Sequence, residues 1–397
     1  MKICIVSQYY NPDVFLINEI TPELVKLGHE VTVLTGLPDY MTGKIPSEYK
    51  WFRRRCECIS GVEVFRVPTL ARRKGVICRI ANYLSFMISS SFFSIFWRKK
   101  FDIIMTYQMS PITQVTAGKV LSRRLEVPHL IYCMDLWPAS VNAWNFNEKS
   151  IVYKVAHAFS KWAYQDVERI AVSSRPFEEY LVNANNVDKG RIMYLPQHSS
   201  SMVLPEEKAD CEEVNLIFAG NIGSVQNIEC LIRSVAKIKT QKAFFIHIYG
   251  DGTSLEKCKK LTKELGLDTL IKFYGRIPKE ELPKIYSKMD ALLLTLASAR
   301  TAGAIATTVP SKFQNYLSTG KPVIASIDGG AAEIIKETGC GLVSAADDEE
   351  GFARNLQEFI ENKNKYIEAG IRGKKYFEEN YRKEVFIKRL NKILLNM

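Results

Sequence analysis

The chain has 397 residues, 47% of them apolar and 24% charged, and a formal net charge of +11. This length exceeds one ordinary doubly wound domain and suits two, each with a core large enough to need no disulfide or metal. The nine cysteines are odd in number and form no pair of CxxC motifs, so we expect reduced thiols in a cytoplasmic protein and no zinc site.

The first ten residues, MKICIVSQYY, have no long apolar core and no small-residue cleavage site. We therefore expect a buried first strand here, not a signal peptide. Short apolar runs then alternate with amphipathic segments, a pattern that predicts parallel βαβ units. In the first half we predict strands at 2–7, 30–35, 62–67, 102–106, 129–133, 169–173 and 192–196, and helices at 16–27, 112–124 and 152–167.

One segment of the first half carries nearly all of the excess charge. Twelve basic and two acidic residues lie between Lys50 and Lys100. An anionic membrane surface and a nucleic acid are the two partners that such a segment indicates, and a solvated loop is the third interpretation. Because the basic run is interleaved with an apolar helix and not with a recognised nucleic-acid motif, we expect a membrane surface and no nucleic acid.

The apolar part of this segment is IANYLSFMISSSFFSIFW, residues 80–97, which has no charged residue but holds five serines and an asparagine. Its length approaches the roughly 20 residues that span a bilayer. Its polar positions favour a helix that lies in the membrane interface, and an ordinary core helix and a membrane-spanning helix are the alternatives.

A polar stretch at 197–213 predicts a linker, after which the layout of the first half recurs. We predict strands at 214–220, 244–250, 271–275, 291–296, 322–326 and 341–344. Helices are predicted at 228–239, 255–265, 312–318, 331–336 and 349–362, followed from residue 363 by helices with no strand after them.

Glycines follow three strands of the second half, at Gly220-Asn221-Ile222-Gly223, Gly250-Asp251-Gly252 and Gly275-Arg276. Ligands of open parallel sheets bind beyond the carboxyl ends of the strands. Glycine there lets backbone amides approach a phosphate, beside the free N–H groups of the next helix. Three such loops favour a nucleotide site, although glycine also ends strands for steric reasons. The GxGxxG fingerprint and the Walker loop are absent, which disfavours nicotinamide and ATPase functions.

The segment TVPSKFQNYL predicts a helix that begins at Pro310 and Ser311. Lys312 then lies at the helix N-terminus, where a cation opposes the helix dipole unless an anion binds nearby. We therefore predict that Lys312 contacts a diphosphate, and a solvated lysine is the alternative. Gln314 and Asn315 lie within one turn and are candidates to hydrogen-bond a ribose.

The motifs FAGNIGSVQNIECL, IYGDG, FYGRIPKEELPKIYSKMDALLLTL and TVPSKFQNYLSTGKPVIA follow one another in the second half. The first half contains QYYNPDVFLINEI, LVKLGHEVTVLTGLPDY, YQMSPIT and DLWP. This order resembles the family 4 glycosyltransferases of the GT-B fold over almost the whole chain. It looks most like the bacterial surface-polysaccharide branch described as L-fucosamine transferase-like. The motifs are specific for the family but not for the sugar that is moved.

The resemblance implies an α/β protein with two Rossmann-like, doubly wound domains that face a central cleft. It implies an acceptor-binding domain at 1–198 and a nucleotide-sugar-binding domain at 199–375. A C-terminal helix at 376–397 would pack back on the first domain.

The resemblance also implies roles for single residues. Asp135 matches the position near the reacting sugar carbon, where a carboxylate orients the donor or stabilises developing positive charge, and a helix N-cap is its alternative role. The acceptor would enter near Asn18, Asp39 and Gln108. Donor binding falls to residues that match the phosphate loop, the nucleobase segment and the diphosphate-binding helix: Gly220, Asn221, Gly223, Gln226, Gly250, Gly275, Arg276, Ser311, Lys312, Gln314 and Asn315.

The sequence departs from the family at positions that bear on catalysis. Many members carry two glutamates separated by seven residues, whereas Thr307 and Asn315 stand at the corresponding places here. Gln226 and Asn227 stand in the phosphate loop where the family has a basic pair. If a diphosphate binds, the positive charge must then come from Arg300, Arg276 or Lys312.

The resemblance implies retaining transfer of an N-acetylated amino sugar from a UDP-sugar to a polyprenyl-diphosphate-linked saccharide, in capsule, O-antigen or exopolysaccharide synthesis. We expect a peripheral protein on the inner face of the cell membrane that needs no metal or other cofactor, since no HExxH motif or carboxylate cluster is present. Two alternatives stay open. A UDP-sugar 2-epimerase would turn over donor without acceptor, and a non-catalytic sugar-nucleotide or membrane-binding protein would bind donor without turnover.

Overall fold

Apolar runs rich in Val, Ile and Leu form the strands of this protein, as their branched side chains favour. The computed structural model describes residues 1–144, 149–205 and 212–397. In these residues the strands are β1 Lys2–Val6, β2 Glu30–Thr35, β3 Cys56–Ile59, β4 Val62–Arg66, β5 Ile103–Gln108, β6 His129–Cys133, β7 Arg169–Val172, β8 Ile192–Tyr194, β9 Val214–Ala219, β10 Phe244–Tyr249, β11 Ile271–Gly275, β12 Ala291–Thr295, β13 Val323–Ser326 and β14 Gly341–Ser344.

Most of the helices lie between successive strands, as βαβ units require. They are α1 Ile17–Lys26, α2 Val76–Phe96, α3 Val115–Leu125, α4 Ile151–Tyr164, α5 Pro176–Asn185, α6 Ile228–Val235, α7 Leu255–Glu264, α8 Leu282–Ser287, α9 Ala299–Ala302, α10 Ser311–Ser318, α11 Gly329–Thr338, α12 Glu349–Asn362, α13 Ile367–Asn380 and α14 Lys383–Leu395. Short 3-10 helices accompany them, among them Ser47–Tyr49 and Ala139–Trp144.

The chain divides into two compact units. Unit 1 comprises Met1–Leu195 and Ile387–Met397, and unit 2 comprises Pro196–Phe386. Within unit 1 the last residues are tied to the start of the chain by a hydrogen bond between His29 and Asn391, with 2.7 Å between Nε2 and Oδ1. The predicted linker has no helix or strand from 195 to 205, and its residues 206–211 lie outside the described residues.

The eight strands of unit 1 form one sheet in the order β3-β4-β2-β1-β5-β6-β7-β8. All neighbours are parallel except β3 and β4, which form an antiparallel hairpin at the edge. The strand order reverses between β1 and β5. At such a switch point of a doubly wound sheet, the loops after the two strands diverge and leave a crevice for ligands.

Unit 2 has a six-stranded parallel sheet in the order β11-β10-β9-β12-β13-β14, with its switch point between β9 and β12. Alternate residues of β9 enter two different cores. Leu216 and Phe218 pack on one face of the sheet, and Ile217 and Ala219 pack on the other. Helices cover both faces of the central strands, so β12 and β13 are apolar or buried at every position, whereas β10 and β11 towards the edge alternate buried with more exposed residues. The predicted doubly wound α/β architecture is confirmed in both units.

Helix α2 packs on the sheet of unit 1 by one face. Phe86 is fully buried, and the rings of Phe93 and Trp97 lie 6.2 and 5.0 Å from the ring of Phe65 on β4. Among the described residues α2 is the one helix long and apolar enough to cross a membrane by length and composition alone. Its opposite face, called the outer face of α2 below, is exposed and apolar: Ile77, Leu84, Ile88, Phe92, Ile95 and Phe96.

Candidate functional site

The glycine loops of unit 2 meet at the carboxyl edge of its sheet, beside the switch point. The N–H of Gly220, after β9, donates to the carbonyl of Tyr249 at 2.9 Å. The N–H of Gly250, after β10, donates to the carbonyl of Gly275 at 2.7 Å. The structure therefore brings together the three predicted loops as one continuous surface of backbone.

Close backbone packing at these loops requires glycine. Gly250 and Gly252 have φ values of +142° and +158°, where L side chains are strained. A Cβ on Gly250 would collide with the carbonyl oxygen of Gly220, and one on Gly252 would collide with that of Ile222. Part of the glycine pattern therefore serves the contact of one loop with the next.

Lys312 reaches this surface from the first turn of α10. Its Nζ lies 3.8 Å from the centre of the Phe218 ring, and a Cβ on Gly220 would collide with it. The ammonium has no acidic or hydrogen-bonding partner among the residues that the structure describes, and burial lowers its pKa to about 7. A cation that is poorly solvated and unpaired gains from any anion that enters the loop.

The N-terminus of α10 adds to the positive potential at this point. Pro310 precedes the helix and no side chain of the described residues caps it, while Ser311 is exposed at the first position. The first backbone N–H groups of a helix carry a partial positive charge. Lys312, Ser311 and the helix end thus present donors next to the glycine loops.

Gln314 and Asn315 have partners within unit 2 that the sequence did not indicate. The amide of Gln314 is buried and donates to the carbonyl of Gln197 at 2.9 Å. Asn315 Oδ1 accepts from the hydroxyl of Ser199 at 2.6 Å. Both side chains hold the first residues of the predicted linker against α10, and their contact with a ribose stays a prediction.

The loop after β9 is ordered by its own amide side chains. Asn221 Nδ2 donates to Gln226 Oε1 at 2.8 Å on the exposed side of the loop. Asn227 caps α6 by accepting from the N–H of Cys230 at 3.2 Å, and its amide donates to Asp347 at 2.7 Å. Gln226 therefore holds the conformation of the loop, and it adds no charge as a basic residue at this position would.

An aromatic platform of His247, Tyr249 and Tyr274 lies on the outer strands β10 and β11. The rings of Tyr249 and Tyr274 stack with centroids 4.5 Å apart and an interplanar angle of 8°. Tyr274 directly precedes Gly275, and Arg276 after it is exposed. The sequence analysis missed this platform, although the alternation of aromatic residues in FFIHIYG and IKFYG is the signal for it.

In unit 1, Asp135 lies in the loop after β6 and is held by two hydroxyls. Ser110 donates to Oδ2, and Ser140 donates to Oδ1 at 2.6 Å. The indole of Trp137 donates to the Ser110 hydroxyl at 3.0 Å and fixes its position. Burial raises the pKa of Asp135, and the two hydroxyl hydrogen bonds oppose that rise. These partners orient the carboxylate, and its role near the reacting sugar and its alternative role as a helix N-cap both stay predictions.

Gln108 is a fully buried link behind Asp135. Its Nε2 donates to the carbonyl of Asp135 at 2.9 Å, and its Oε1 accepts from the hydroxyl of Tyr164 at 3.0 Å. Both ends of the amide are used, so the side chain positions the Asp135 loop. Direct contact of Gln108 with an acceptor stays a prediction.

Asp39 belongs to a buried polar network at the ends of β1 and β2. Its Oδ2 accepts from the N–H of Arg72 at 2.7 Å and from Asn82 of α2 at 3.0 Å. Burial raises the pKa of Asp39 to about 6, and the neighbouring carboxyl of Asp13 adds to the rise. Asn18 also belongs here, since its amide donates to the carbonyl of Asp13 at 2.7 Å. The structure therefore places Asn18 and Asp39 close together around Asp13, and their role in binding an acceptor stays a prediction.

Groups of three or more histidine, cysteine or acidic side chains with metal-binding geometry do not occur in the described ranges.

Comparison with protein families gives two matches that together cover most of the chain. Residues 16–198 match the "Glycosyl transferase 4-like domain" model, and residues 205–376 match the "Glycosyl transferases group 1" model.

Curated relatives include bacterial glycosyltransferases. A probable glycosyltransferase, WbjE, of Pseudomonas aeruginosa is 27% identical over 244 residues, which is 59% of this chain and 58% of that protein. The chain therefore spans a little under three fifths of that relative's length. A putative colanic acid biosynthesis glycosyl transferase, WcaI, of Escherichia coli K12 is 22% identical over 346 residues, 81% of this chain and 82% of that one.

Solved structures share the fold at low identity. Sucrose-phosphate synthase of Thermosynechococcus elongatus superposes with a TM-score of 0.72 at 14% identity, covering 100% of this chain and 98% of that one. Anabaena Alr3699/HepE in complex with UDP gives 0.69 at 13% identity, covering 100% of both chains. With two doubly wound units, each matched by a glycosyltransferase model, the chain belongs to the family 4 glycosyltransferases of the GT-B fold.

Proposed function

We propose that this protein is a retaining glycosyltransferase that moves an N-acetylated amino sugar from a UDP-sugar to a polyprenyl-diphosphate-linked saccharide. The reaction would serve bacterial capsule, O-antigen or exopolysaccharide synthesis on the cytoplasmic face of the membrane. The observation that carries the proposal is the unpaired Lys312 ammonium beside the glycine loops of unit 2. The polysaccharide relatives and the UDP-bound structural neighbour support the choice of acceptor class and nucleotide.

The diphosphate of the donor would lie on the loop after β9, next to Lys312 and the first turn of α10. The charge that develops on this diphosphate as the sugar leaves would be stabilised by the ammonium and by the helix N–H groups. The nucleobase would lie near Gly275 and Arg276, beside the aromatic platform. In this arrangement Lys312 and the N-terminus of α10 supply the positive charge for the diphosphate, since Gln226 is neutral.

In the proposed reaction the bond between the sugar C1 and the diphosphate oxygen breaks, and a bond from C1 to the acceptor oxygen forms on the same face. The acceptor hydroxyl gives its proton to the departing phosphate oxygen, so that this step requires no separate general base. Asp135 would orient the sugar or stabilise the positive charge on its ring. The hydroxyls of Ser110 and Ser140 and the indole of Trp137 would keep that carboxylate in place.

The acceptor would reach unit 1 from the membrane surface. The outer face of α2 exposes six large apolar side chains in one stripe, with Ile88 at 64% and Phe92 at 65% exposure. Such a stripe, flanked by basic residues of the 50–100 segment, suits a helix that lies in an anionic interface. Asn82 on the inner face of the same helix bonds Asp39, so the membrane contact and the proposed acceptor region share one element.

The donor site is tested by replacing its unpaired cation. We expect Lys312→Ala to weaken UDP binding by about tenfold or more, since a charge-assisted hydrogen bond contributes about 1.5–3 kcal/mol. Lys336→Ala, an exposed lysine of α11 in the same unit, is the control and should leave affinity unchanged. Calorimetric titration with UDP measures both. Equal affinity of wild type and Lys312→Ala would contradict the donor site.

A further inference from the structure

Two arginines stand directly opposite each other at the open end of the β3–β4 hairpin. The register pairs Cys56 with Phe65, and the next bond along runs from the N–H of Arg66 to the carbonyl of Arg55 at 2.8 Å. Side chains at opposite positions of an antiparallel pair lie on the same face with Cβ atoms about 5 Å apart, and like charges there repel. Repulsion between the two arginines therefore destabilises the hairpin, although a hairpin of this register does not need an arginine at either position.

The two guanidinium groups keep donors that the described residues leave unpaired. Arg66 bonds Glu57 through Nε at 3.1 Å and the carbonyl of Asn11 through Nη2 at 2.6 Å, but its Nη1 has no acceptor among the described side chains and backbone. Arg66 is 4% exposed. The Nε and Nη1 atoms of the half-buried Arg55 are also buried and have no acceptor in those ranges. Buried donors without an acceptor are costly, the more so when charged.

Positive charge dominates around these donors. Arg54 and Arg66 both lie over the ring of Tyr49, 5.7 and 5.0 Å from its centre. Glu57 is the acid that faces the pair, and it is already shared between Arg54 and Arg66. Burial and the neighbouring Arg66 both lower the pKa of Arg55. An additional anion would therefore be attracted to this point of unit 1.

The loop that covers the pair is exposed and has a strained backbone. Phe52 lies over the Arg55 guanidinium at 5.2 Å and is 77% exposed, and Trp51 next to it is 86% exposed. Trp51, Phe52 and Arg54 have φ values of 53°, 62° and 48°, a region that bulky residues rarely adopt and that stores strain. Displacement of this loop would relieve the strain and open the arginine pair.

The pair also lies at the edge of the sheet where ligands bind. Arg66 ends β4, which runs parallel to β2, and Arg66 is paired in register with Thr35. Its partner Asn11 lies in the loop after β1. Arg55 precedes the antiparallel strand β3 and so comes to the same carboxyl edge as Asp39 and Asn18.

We propose that Arg55 and Arg66 form an oxyanion site that binds the phosphate groups linking the acceptor saccharide to its lipid. A diphosphate offers enough oxygens to accept from both guanidinium groups at once, which offsets their mutual repulsion and satisfies their free N–H groups. The exposed Trp51 and Phe52 would meanwhile contact the lipid chain or the interface. The identity of the phosphate carrier rests on the proposed function, whereas the oxyanion site itself does not.

The site is tested with inorganic diphosphate, titrated calorimetrically into the protein saturated with UDP so that the donor site is occupied. We expect Arg55→Gln to weaken diphosphate binding by about tenfold. Arg53→Gln removes the same charge from an exposed arginine of the same loop and should leave binding within about twofold. We also expect Arg55→Gln to keep or raise the melting temperature, because it removes a desolvated like charge. Unchanged diphosphate affinity in Arg55→Gln, or a lower melting temperature, would overturn the site.

Two further measurements identify which molecule carries the phosphate that binds this site. Arg55→Gln should raise KM for a polyprenyl-diphosphate saccharide about tenfold, with KM for the donor and for the same saccharide on a neutral alkyl chain unchanged. Binding to vesicles of anionic phospholipid should fall equally in Arg55→Gln and Arg53→Gln, since each loses one charge. A greater loss of vesicle binding in Arg55→Gln would assign the site to membrane headgroups and overturn the acceptor role. Loss of diphosphate affinity with no change in any KM would assign it to free phosphate and overturn that role too.

Discussion

At the scale of single residues, the electrostatics of the proposed donor site depend on Lys312. Burial lowers its pKa to about 7, so the charged form that would bind a diphosphate predominates below that pH and is lost as the pH rises above it. Binding UDP at higher pH then requires uptake of a proton. The same burial that makes the ammonium receptive to an anion therefore makes donor affinity sensitive to alkali.

We expect the dissociation constant of UDP to rise as the pH increases from about 7 to about 9, by about the same factor as the loss in Lys312→Ala, because deprotonation removes the same charge. The terminal phosphate of UDP is already ionised in that range, since its pKa lies near 6. Lys312→Arg should give a flat profile, because arginine stays charged throughout. Titrations of both proteins across this range make the test. A wild-type profile as flat as that of Lys312→Arg would contradict the assignment.

The sequence was sufficient to indicate which loops and which helix end form the candidate donor site, because glycine position and helix capping are local properties. It was not sufficient for side chains whose partners lie far along the chain. Gln314 bonds Gln197 and Asn315 bonds Ser199. These pairs form only when α10 packs on the start of the predicted linker, which is distant in the sequence. The unpaired donors of Arg55 and Arg66 likewise follow from the hairpin register.

At the scale of elements, the glycine loops of unit 2 are fixed by contact with one another. We expect Gly250→Ala to destabilise the protein by about 2 kcal/mol more than Gly266→Ala. Both positions have positive φ, but a Cβ on Gly250 would strike the Gly220 carbonyl while one on Gly266 meets no atom within 4 Å. Urea denaturation of the two variants measures the difference. Equal losses would show that the loops are free to separate.

The outer face of α2 gives a second prediction at this scale. The double variant Ile88→Ser and Phe92→Ser should weaken binding to anionic vesicles by at least about tenfold, since burying each side chain contributes about 1.5–3 kcal/mol. It should leave the melting temperature unchanged, because both side chains point away from the core. Ile371→Ser removes a similarly exposed apolar side chain of unit 2 and is the control in vesicle co-sedimentation. Retained vesicle binding in the double variant would contradict an interfacial role for α2.

Most strands were predictable because parallel strands buried on both faces are short continuous apolar runs. Strand β3, CECI, was missed because it lies at the sheet edge with Cys56 and Cys58 exposed and so is not a continuous apolar run. Helix α5 was also missed; it begins at Pro176 and has two acidic residues in its first turn. Helix α2 begins at Val76, four residues before the uncharged stretch. The stretch could not indicate this start, because the charged Arg79 lies within the first turn of the helix. Edge position and local charge, more than propensity, explain these differences.

At the scale of the whole molecule, charge and chemistry are divided between the two units. The 50–100 segment carries nearly all of the net charge of +11, together with the outer face of α2 and the Arg55–Arg66 pair, and it belongs to unit 1. The unpaired lysine and the glycine loops belong to unit 2. This division is what a transferase needs if one unit meets a membrane-bound acceptor and the other holds a soluble donor.

Sugar transfer itself is measured as nucleotide release from UDP-, GDP- and TDP-sugars, with and without a bacterial lipid-linked acceptor extract. We expect release of UDP from one UDP-sugar that depends on the acceptor extract and is lost in Lys312→Ala. Turnover of a UDP-sugar without acceptor would indicate an epimerase. Intact UDP binding with no release from any donor would contradict the claim that the protein transfers a sugar.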